Sequence, residues 1–177
     1  MRLLLHVCCG PCAAGTLDHH RAAASDVVGF FYNPNIHPFM EYRSRLAGVR
    51  DLAAARHLPI REDLWFDPEQ WFEAVRGGPE ERCRRCLALR LGRAAEEALA
   101  AGADAFATTL AVSPWQDHAA IEEEGASAGD AAGVVFVYED LRHLYADSRR
   151  VARELALYRQ RYCGCLISEW ERHRDQR

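Results

Sequence analysis

Two patterns of apolar residues alternate along the chain: short continuous apolar runs, and longer stretches in which apolar residues recur every three to four positions. Runs of the first kind are typical of buried strands, and stretches of the second kind are typical of amphipathic helices. The strands predicted in this way are 2–7, 27–32, 59–64, 104–110 and 134–138. The predicted helices are 11–24, 39–57, 68–75, 79–101, 115–128, 149–161 and 166–174.

The order of these elements predicts the fold class. Strands that alternate with helices are typical of an α/β sandwich with a mainly parallel sheet. No linker or repeat divides the chain, so we expect a single α/β domain over 1–177 that ends in a helical segment with a Cys-x-Cys motif. Sites in such sheets form beyond the carboxyl ends of the strands. The segments 8–12, 33–38 and 108–114, each of which follows a strand, should therefore lie at one edge.

The composition limits the class of protein. With 177 residues, 49% of them hydrophobic, the chain can bury one core of ordinary size. Its net charge of −4 argues against a broadly basic nucleic-acid coat, although all 22 of its Lys-or-Arg residues are arginine. The N-terminal apolar run, 3–7, is too short for a signal peptide or a membrane span. We therefore expect a cytoplasmic protein with no membrane partner, in a compartment where thiols stay reduced.

Seven cysteines form three groups in the sequence, and in a reducing compartment they indicate metal or redox chemistry rather than disulfides. They are Cys8, Cys9 and Cys12, then Cys83 and Cys86, then Cys163 and Cys165. The first group follows a predicted strand and opens a helix whose N-terminus favours anionic sulfur. The second group shares one helix face, and the third flanks a glycine turn. We predict that the fold gathers all three groups into one metal–thiolate site.

The number of thiols bears on the identity of the metal. A structural zinc ion takes four ligands, and so does a [4Fe–4S] cluster. Seven thiols leave a surplus for a further iron or for catalysis, so we favour iron and sulfide, while a zinc–thiolate structural or binding module stays open as an alternative. A second alternative is a thioredoxin-like dithiol oxidoreductase, because residues 9–12 read Cys-Gly-Pro-Cys. A thioredoxin fold, however, needs a strand and a helix before that motif, and here only one strand precedes it.

Five motifs together resemble the cobalamin-independent epoxyqueuosine reductases, the QueH family. They are LLHVCCGPC at 4–12, FYNPNIHP at 31–38 with Glu41, Tyr42 and Arg45 after it, RCRRC at 82–86 with RL at 90–91, TTL at 108–110 with SP at 113–114, and YRQRYCGC at 158–165. The match runs nearly end to end and in order. Each group of thiols falls inside one of these motifs.

The resemblance implies an activity, cofactors and partners. The family reduces epoxyqueuosine to queuosine at the wobble base of tRNA anticodons, in a fold similar to the Rossmann-like HUP domains. It implies a [4Fe–4S] cluster, an adjacent mononuclear iron, a tRNA partner and an external electron donor. We assign cofactor binding to Cys8, Cys9, Cys83, Cys86, Cys163 and Cys165. Cys12 joins them as a candidate metal ligand.

Polar residues near the predicted edge are further candidates. His37 is a candidate proton donor to the released epoxide oxygen, with Asn33 and Asn35 as catalytic neighbours, and loop capping is the alternative for all three. Candidate substrate-binding residues are Glu41, Arg45, Thr108, Thr109, Ser113 and Arg159. Of these, Glu41 and Arg45 also have the spacing of an ion pair on a helix surface.

The remaining candidates each have a structural and a functional interpretation. Two groups of arginines flank the thiols and either bind tRNA phosphates or face solvent, namely Arg82, Arg84, Arg85 and Arg90, and Arg159, Arg161, Arg172 and Arg174. Several aromatic residues either belong to the core or stack on an unpaired base, namely Trp65, Phe66, Trp71, Phe72 and Trp115. We interpret His6 as a satisfied core histidine, with a hydrogen bond to a cluster sulfur as the alternative.

Overall fold

The computed structural model describes residues 1–176, apart from the side chains of Glu80 and Gln176. Its centre is a five-stranded sheet in the order β3-β2-β1-β4-β5, and every strand pair runs parallel. The strands are β1 (Arg2–His6), β2 (Asp26–Phe31), β3 (Ile60–Glu62), β4 (Ala105–Thr108) and β5 (Val135–Phe136). The predicted α/β class with a mainly parallel sheet is therefore confirmed, and the arrangement is Rossmann-like.

Helices of the described chain flank this sheet. They are α1 (Gly10–Ala23), α2 (Phe39–Ala55), α3 (Pro68–Ala74), α4 (Pro79–Ala100), α5 (His118–Ala132), α6 (Tyr145–Glu154) and α7 (Leu166–His173). Short 3₁₀ turns lie at Thr109–Val112, Arg142–Leu144 and Arg174–Gln176. Among residues 1–176, no helix combines the length and apolarity that crossing a membrane requires.

The central strand β1 divides the core into two layers because successive side chains of a strand point to opposite faces. Leu3, Leu5 and Val7 are buried with residues of α1, α2 and α6. Leu4 and Cys8 are buried on the other face, with residues of α4 and α5. The strand therefore delivers its first cysteine to the face covered by α4, the helix that carries the next two cysteines.

The segments that follow β1, β2 and β4 meet at the carboxyl edge of the sheet, as predicted. The amide of Cys8 donates a hydrogen bond to Thr109 Oγ1 at 3.0 Å, which joins the first and the last of these segments. Asn33 Nδ2 donates to the carbonyl of Val7 at 2.9 Å, which joins the second to the first. This edge is where the candidate site residues converge.

The predicted helix at 149–161 is wrong at both ends. The structure has α6 at Tyr145–Glu154, and Ala156 adopts a φ of +52°, in the left-handed region that a helix cannot continue through. The chain from 157 to 164 is irregular. It lies over the site and makes its polar contacts with other segments, which no local period in the sequence could indicate.

Two other predicted elements also have wrong boundaries. The helix predicted at 115–128 is α5 at His118–Ala132, because the Asp117 side chain caps it by accepting the Ala120 amide at 3.0 Å and Gly133 ends it with a φ of +73°. The strand predicted at 104–110 ends at Thr108, because the Thr108 hydroxyl accepts the Leu110 amide at 3.2 Å and starts a turn.

Candidate metal centre

Three cysteines form a compact trio, Cys8, Cys9 and Cys12, where β1 passes into α1. Their sulfur atoms all lie within 4.8 Å of one another, and those of Cys8 and Cys9 are 3.8 Å apart. Cys9 is the N-cap of α1, and its sulfur accepts the Cys12 amide at 3.5 Å. A Cβ at Gly10 would lie 2.5 Å from the carbonyl oxygen of Gly48, so this turn needs glycine to pack against α2.

The three thiols of the trio differ in the direction in which their pKa values are shifted. Hydrogen bonds from Cys12 and Cys9, together with Arg90 and Thr109, hold the pKa of Cys8 well below its usual range. Burial raises the pKa of Cys9 to about 12, and the contacts with Cys8 and Cys9 raise the pKa of Cys12. Cys8 and Cys9 are buried and Cys12 is half-buried, and three sulfurs this close cannot all carry negative charge without a cation between them. The donor set therefore fits a metal, which displaces the protons of its thiol ligands.

The other four cysteines form an open quartet, Cys83, Cys86, Cys163 and Cys165. Cys86 and Cys165 pack with the buried side chain of Trp71. Burial raises the pKa of Cys86 to about 11 and also raises the pKa of Cys83. Negative charge on Cys163 or Cys165 adds to the rise at both positions, so the four sulfurs lie within electrostatic reach of one another.

The two sets differ in how closely their sulfurs approach. Within residues 1–176, the compact trio is the only group of three possible metal ligands from His, Cys, Asp or Glu with all ligand atoms this close together. The open quartet has a wider spacing. The seven candidate ligands that the sequence identified thus lie at one end of the fold in two sets.

Polar side chains contact sulfurs in each set, and the charge of Arg90 acts on both sets. Gln160 Nε2 lies 2.9 Å from Cys9 Sγ in the trio, and Gln116 Nε2 lies 3.4 Å from Cys163 Sγ in the quartet. Arg90 is 2% exposed, and its positive charge lowers the pKa of Cys8 in the trio and opposes the rise at Cys86 in the quartet. Each of these contacts favours sulfur in its anionic form.

Sequence reasoning missed the roles of these three side chains. It offered Arg90 as a phosphate contact or a solvent-facing residue, and both are wrong because the side chain is buried and donates to Asn33 Oδ1 at 2.7 Å. The usable signal was its spacing, since Arg90 follows Cys86 by four positions and shares its helix face. Gln160 had no such signal, because its contact spans 151 positions.

His37 lies beside the open quartet in an aromatic enclosure. Its ring stacks on Phe72 with centroids 5.5 Å apart and meets Trp71 edge-on at 5.0 Å. Neither ring nitrogen has a hydrogen-bond partner in the described chain, and burial lowers the pKa of the imidazole. The His37 amide donates to the carbonyl of Gly164 at 2.8 Å, which ties it to the last cysteine pair.

The asparagines of the same loop differ in how much of their polar capacity is used. Asn33 uses both ends of its amide, donating to Val7 and accepting from Arg90. Asn35 is 2% exposed, and its Oδ1 has no partner among residues 1–176. Catalytic roles for His37, Asn33 and Asn35 remain predictions, and the structure gives His37 and Asn35 the free polar atoms.

The candidate substrate-binding residues mostly make contacts within the protein. Thr108 Oγ1 bonds the ring of His6 at 2.8 Å, and Thr109 Oγ1 donates to Cys8 Sγ at 3.2 Å. Ser113 Oγ accepts a hydrogen bond from the Trp115 amide at 3.3 Å. Arg159 is exposed and makes no hydrogen bond or ion pair with the described side chains. Substrate contact by these residues remains a prediction.

Glu41 and Arg45 form their ion pair at 2.8 Å, but the expected surface location is wrong, because the side chains are 9% and 3% exposed. His6 is confirmed as a satisfied core histidine, with Nδ1 at 2.8 Å from Thr108 Oγ1 and Nε2 at 3.2 Å from the carbonyl of Tyr32. Burial lowers the pKa of His6 to about 3, so its ring is neutral.

The fold and the site define a class: an α/β protein that brings free thiols, three of them close enough to bind a metal ion, to the carboxyl edge of a parallel sheet. A family model described as epoxyqueuosine reductase QueH matches residues 3–171, and the chain belongs to this family of oxidoreductases. The resemblance seen in the motifs is confirmed.

Two relatives agree with the chain along nearly their whole length. The chain is 39% identical over 171 residues to the epoxyqueuosine reductase QueH of Dehalococcoides mccartyi, covering 97% of this chain and 94% of that protein. It is 37% identical over 179 residues to the protein of the same name from Thermotoga maritima, covering 96% of this chain and 91% of that protein.

Proposed function

We propose that the protein reduces the epoxide of epoxyqueuosine in tRNA to give queuosine. The observation that carries the proposal is the compact trio of thiols at the carboxyl end of β1, in a chain that matches the family across residues 3–171. In the reaction the epoxide oxygen leaves as water and an alkene forms. This takes two electrons, which an external donor supplies, and two protons.

The donor set fits a [4Fe–4S] cluster with an adjacent iron. Four thiols suffice for the cluster, and the surplus leaves ligands for a second metal. We assign Cys83 and Cys86 to the cluster, and divide the compact trio and the pair Cys163 and Cys165 between the two metals. When bound, such a centre supplies electrons one at a time and an open-sided iron that polarises an oxygen as a Lewis acid.

The protein's own residues prepare this site for the reaction. The buried cation of Arg90 offsets the negative charge of thiolates in both sets. Aromatic rings around His37 exclude water from it, and both of its ring nitrogens are buried. Because burial lowers the pKa of His37, its protonated form is a stronger acid than an exposed imidazolium and a better donor to the departing oxygen.

Arginines without carboxylate partners support a tRNA substrate. Arg82 pairs with Glu171 and Arg84 pairs with Glu123, so both are neutralised within the protein. Four exposed arginines near the cysteines make no ion pair with a described side chain, namely Arg85, Arg159, Arg161 and Arg172. These unpaired arginines are suited to contact phosphates despite the acidic net charge of the chain.

Trp115 offers a surface for base stacking at the same end of the fold. Its side chain is 82% exposed, although most tryptophans are largely buried. It precedes Gln116, whose amide contacts Cys163 Sγ. We therefore propose that Trp115 stacks on an unpaired anticodon base beside the site. Trp71, by contrast, is 1% exposed and belongs to the core.

The pKa directions argue against a thioredoxin-like dithiol oxidoreductase. An attacking thiol in such enzymes has a lowered pKa. Here burial raises the pKa of Cys9 to about 12, and the pKa of Cys12 is raised as well. The motif also follows the first strand of the sheet directly, with no helix before it.

The experiment that tests the proposal is anaerobic incubation of the purified protein with epoxyqueuosine-containing tRNA and dithionite, followed by nucleoside analysis. We expect queuosine to accumulate with wild-type protein and not with Cys86→Ser. Absence of queuosine with an iron-loaded, brown protein would contradict the proposed activity. A colourless protein that binds zinc would support the binding-module alternative.

A further inference from the structure

A buried ion pair at the beginning of α2 faces the last cysteine pair. Glu41 Oε1 accepts Arg45 Nε at 2.8 Å, and the two side chains are 9% and 3% exposed. Burying two charges is costly unless the remaining donors and acceptors are also satisfied. The other polar atoms of this buried pair should therefore also have hydrogen-bond partners within the protein.

Each of the two Nη atoms of Arg45 donates a hydrogen bond to a backbone carbonyl. Arg45 Nη1 donates to the carbonyl of Cys163 at 2.7 Å, and Nη2 donates to the carbonyl of Tyr162 at 3.0 Å. The guanidinium also lies 5.3 Å from the centre of the Tyr162 ring. Glu41 Oε2 accepts the hydroxyl of Tyr158. All of these partners lie in residues 158–165, which we name the C-terminal strap.

The strap has little regular structure of its own to hold it. It follows the end of α6 and precedes α7, and its residues form neither strand nor helix. Gly164 has a φ of +155°, and a Cβ there would lie 2.7 Å from Asn35 Nδ2 and 3.4 Å from Arg45 Nη1. The hydroxyl of Tyr162 donates to the carbonyl of His37 at 2.6 Å. The strap therefore packs closely against α2 and the loop before it.

We propose that the buried pair of Glu41 and Arg45 is a positioning device that holds the C-terminal strap, so that Cys163 and Cys165 stand opposite α4 and Gln160 reaches Cys9. The inference rests on the proposed function only in taking these thiols as metal ligands. It assigns Glu41 and Arg45 to metal retention, because their polar atoms are already occupied by the protein and lie away from solvent.

The geometry requires arginine in particular. A planar guanidinium can bond a carboxylate through Nε and two neighbouring carbonyls through its two Nη atoms at the same time, which a lysine ammonium cannot do. Arg45→Lys keeps the charge and loses this fork. Glu41→Gln keeps the shape and leaves the arginine cation buried without its counter-charge. Tyr158→Phe removes one hydroxyl and little else.

The matched control lies on the same helix. Arg50 forms an ion pair with Glu62 at 2.6 Å, and the Arg50 side chain is 52% exposed. Arg50→Lys therefore repeats the chemical change of Arg45→Lys in an exposed pair away from the strap. Its effect on metal content should be small, because exposed ion pairs contribute little.

The test measures iron release from anaerobically purified holoprotein in the presence of a chelator, without tRNA or reductant. We expect Arg45→Lys and Glu41→Gln to lose iron about tenfold faster than wild type, as outer partners of metal ligands do when changed, and Arg50→Lys to match wild type. Circular dichroism before the challenge identifies variants that fail to fold. If Arg45→Lys fails to fold, Tyr158→Phe is measured in its place, and faster iron release is expected there too.

Two results would overturn the inference. One is wild-type iron release in Arg45→Lys or, where that variant does not fold, in Tyr158→Phe. The other is unchanged iron release in these variants together with a raised KM for tRNA in a separate turnover assay. That result would make the pair a substrate contact. Iron release is measured without turnover. Its result therefore tests this inference independently of whether the protein produces queuosine.

Discussion

Gln160 Nε2 lies 2.9 Å from the sulfur of Cys9, a contact that joins the last irregular segment of the chain to the first loop. The amide oxygen of Gln160 is buried and has no partner among residues 1–176. The hydrogen bond from Nε2 to the Cys9 sulfur is therefore the contact that orients the Gln160 amide. Hydrogen bonds to the sulfurs of an iron–sulfur centre stabilise its more negative, reduced form and so raise its reduction potential.

We predict that Gln160→Leu lowers the reduction potential of the metal centre and weakens metal affinity by about tenfold, since it removes this hydrogen bond. Potentiometric titration followed by electron paramagnetic resonance measures the potential. Gln70→Leu is the control, because the Gln70 side chain is exposed on α3 and makes no hydrogen bond with a described sulfur. An unchanged potential in Gln160→Leu would show that the contact with Cys9 has no influence on the centre.

Replacing His37 tests its role as a proton donor. We expect His37→Ala to reduce kcat by about 100-fold with saturating tRNA, the usual contribution of a general acid, while iron content stays at the wild-type level. His143→Ala serves as control, because His143 lies in an exposed turn. Turnover at the wild-type rate in His37→Ala would remove His37 from catalysis.

The unpaired arginines predict how tRNA binding responds to salt. Each phosphate contact that is lost should reduce the slope of log affinity against log salt by about 0.7 to 0.9. We therefore expect Arg159→Ala and Arg161→Ala to weaken binding and to flatten the salt dependence. Arg150→Ala is the control, because Arg150 already pairs with Asp147 and Glu154. Equal slopes in all variants would exclude phosphate contact at Arg159 and Arg161.

His20 predicts a dependence of stability on pH. Burial chiefly lowers its pKa to about 4, so below the ordinary value of 6.5 the unfolded chain binds this proton more readily than the folded protein. Stability should therefore fall as the pH drops from 6.5 to 4, by at most about 1.4 kcal/mol per pH unit from this group.

The measurement for His20 compares wild type with His20→Leu by urea unfolding at pH 7.0 and pH 4.5. The contributions of other titrating groups cancel between the two proteins. We expect wild type to lose more stability than the variant on acidification, by about 2 to 3 kcal/mol. A stability difference that is the same at both pH values would show that His20 does not titrate as described.

The sequence indicated the edge of the sheet better than it indicated the contacts made there. Apolar runs and the Gly-Pro turn are local signals, so the parallel sheet and the meeting of segments 8–12, 33–38 and 108–114 could be predicted. The contact of Arg45 with Cys163 spans 118 positions and depends on how the C-terminal strap folds back. Ala156 adopts a left-handed backbone conformation between the end of α6 and the strap. An alanine in the sequence does not indicate such a conformation.

Burial was the other property that the sequence could not supply. Glu41 and Arg45 have the spacing of a surface pair, and only the strap that covers them makes them an internal one. Arg90 likewise stands among exposed arginines in the sequence, yet its side chain enters the core beside Asn33. The spacing of Arg90 from Cys86 indicates a shared helix face, but it does not indicate that the side chain is buried.

The most direct test of the account is the iron and acid-labile sulfide content of the anaerobically purified protein, measured per chain. We expect about five irons and about four sulfides, which is a full cluster together with one more iron. About four irons would contradict the adjacent metal. An absence of labile sulfide, or zinc in place of iron, would contradict the iron–sulfur centre on which the proposed reaction depends.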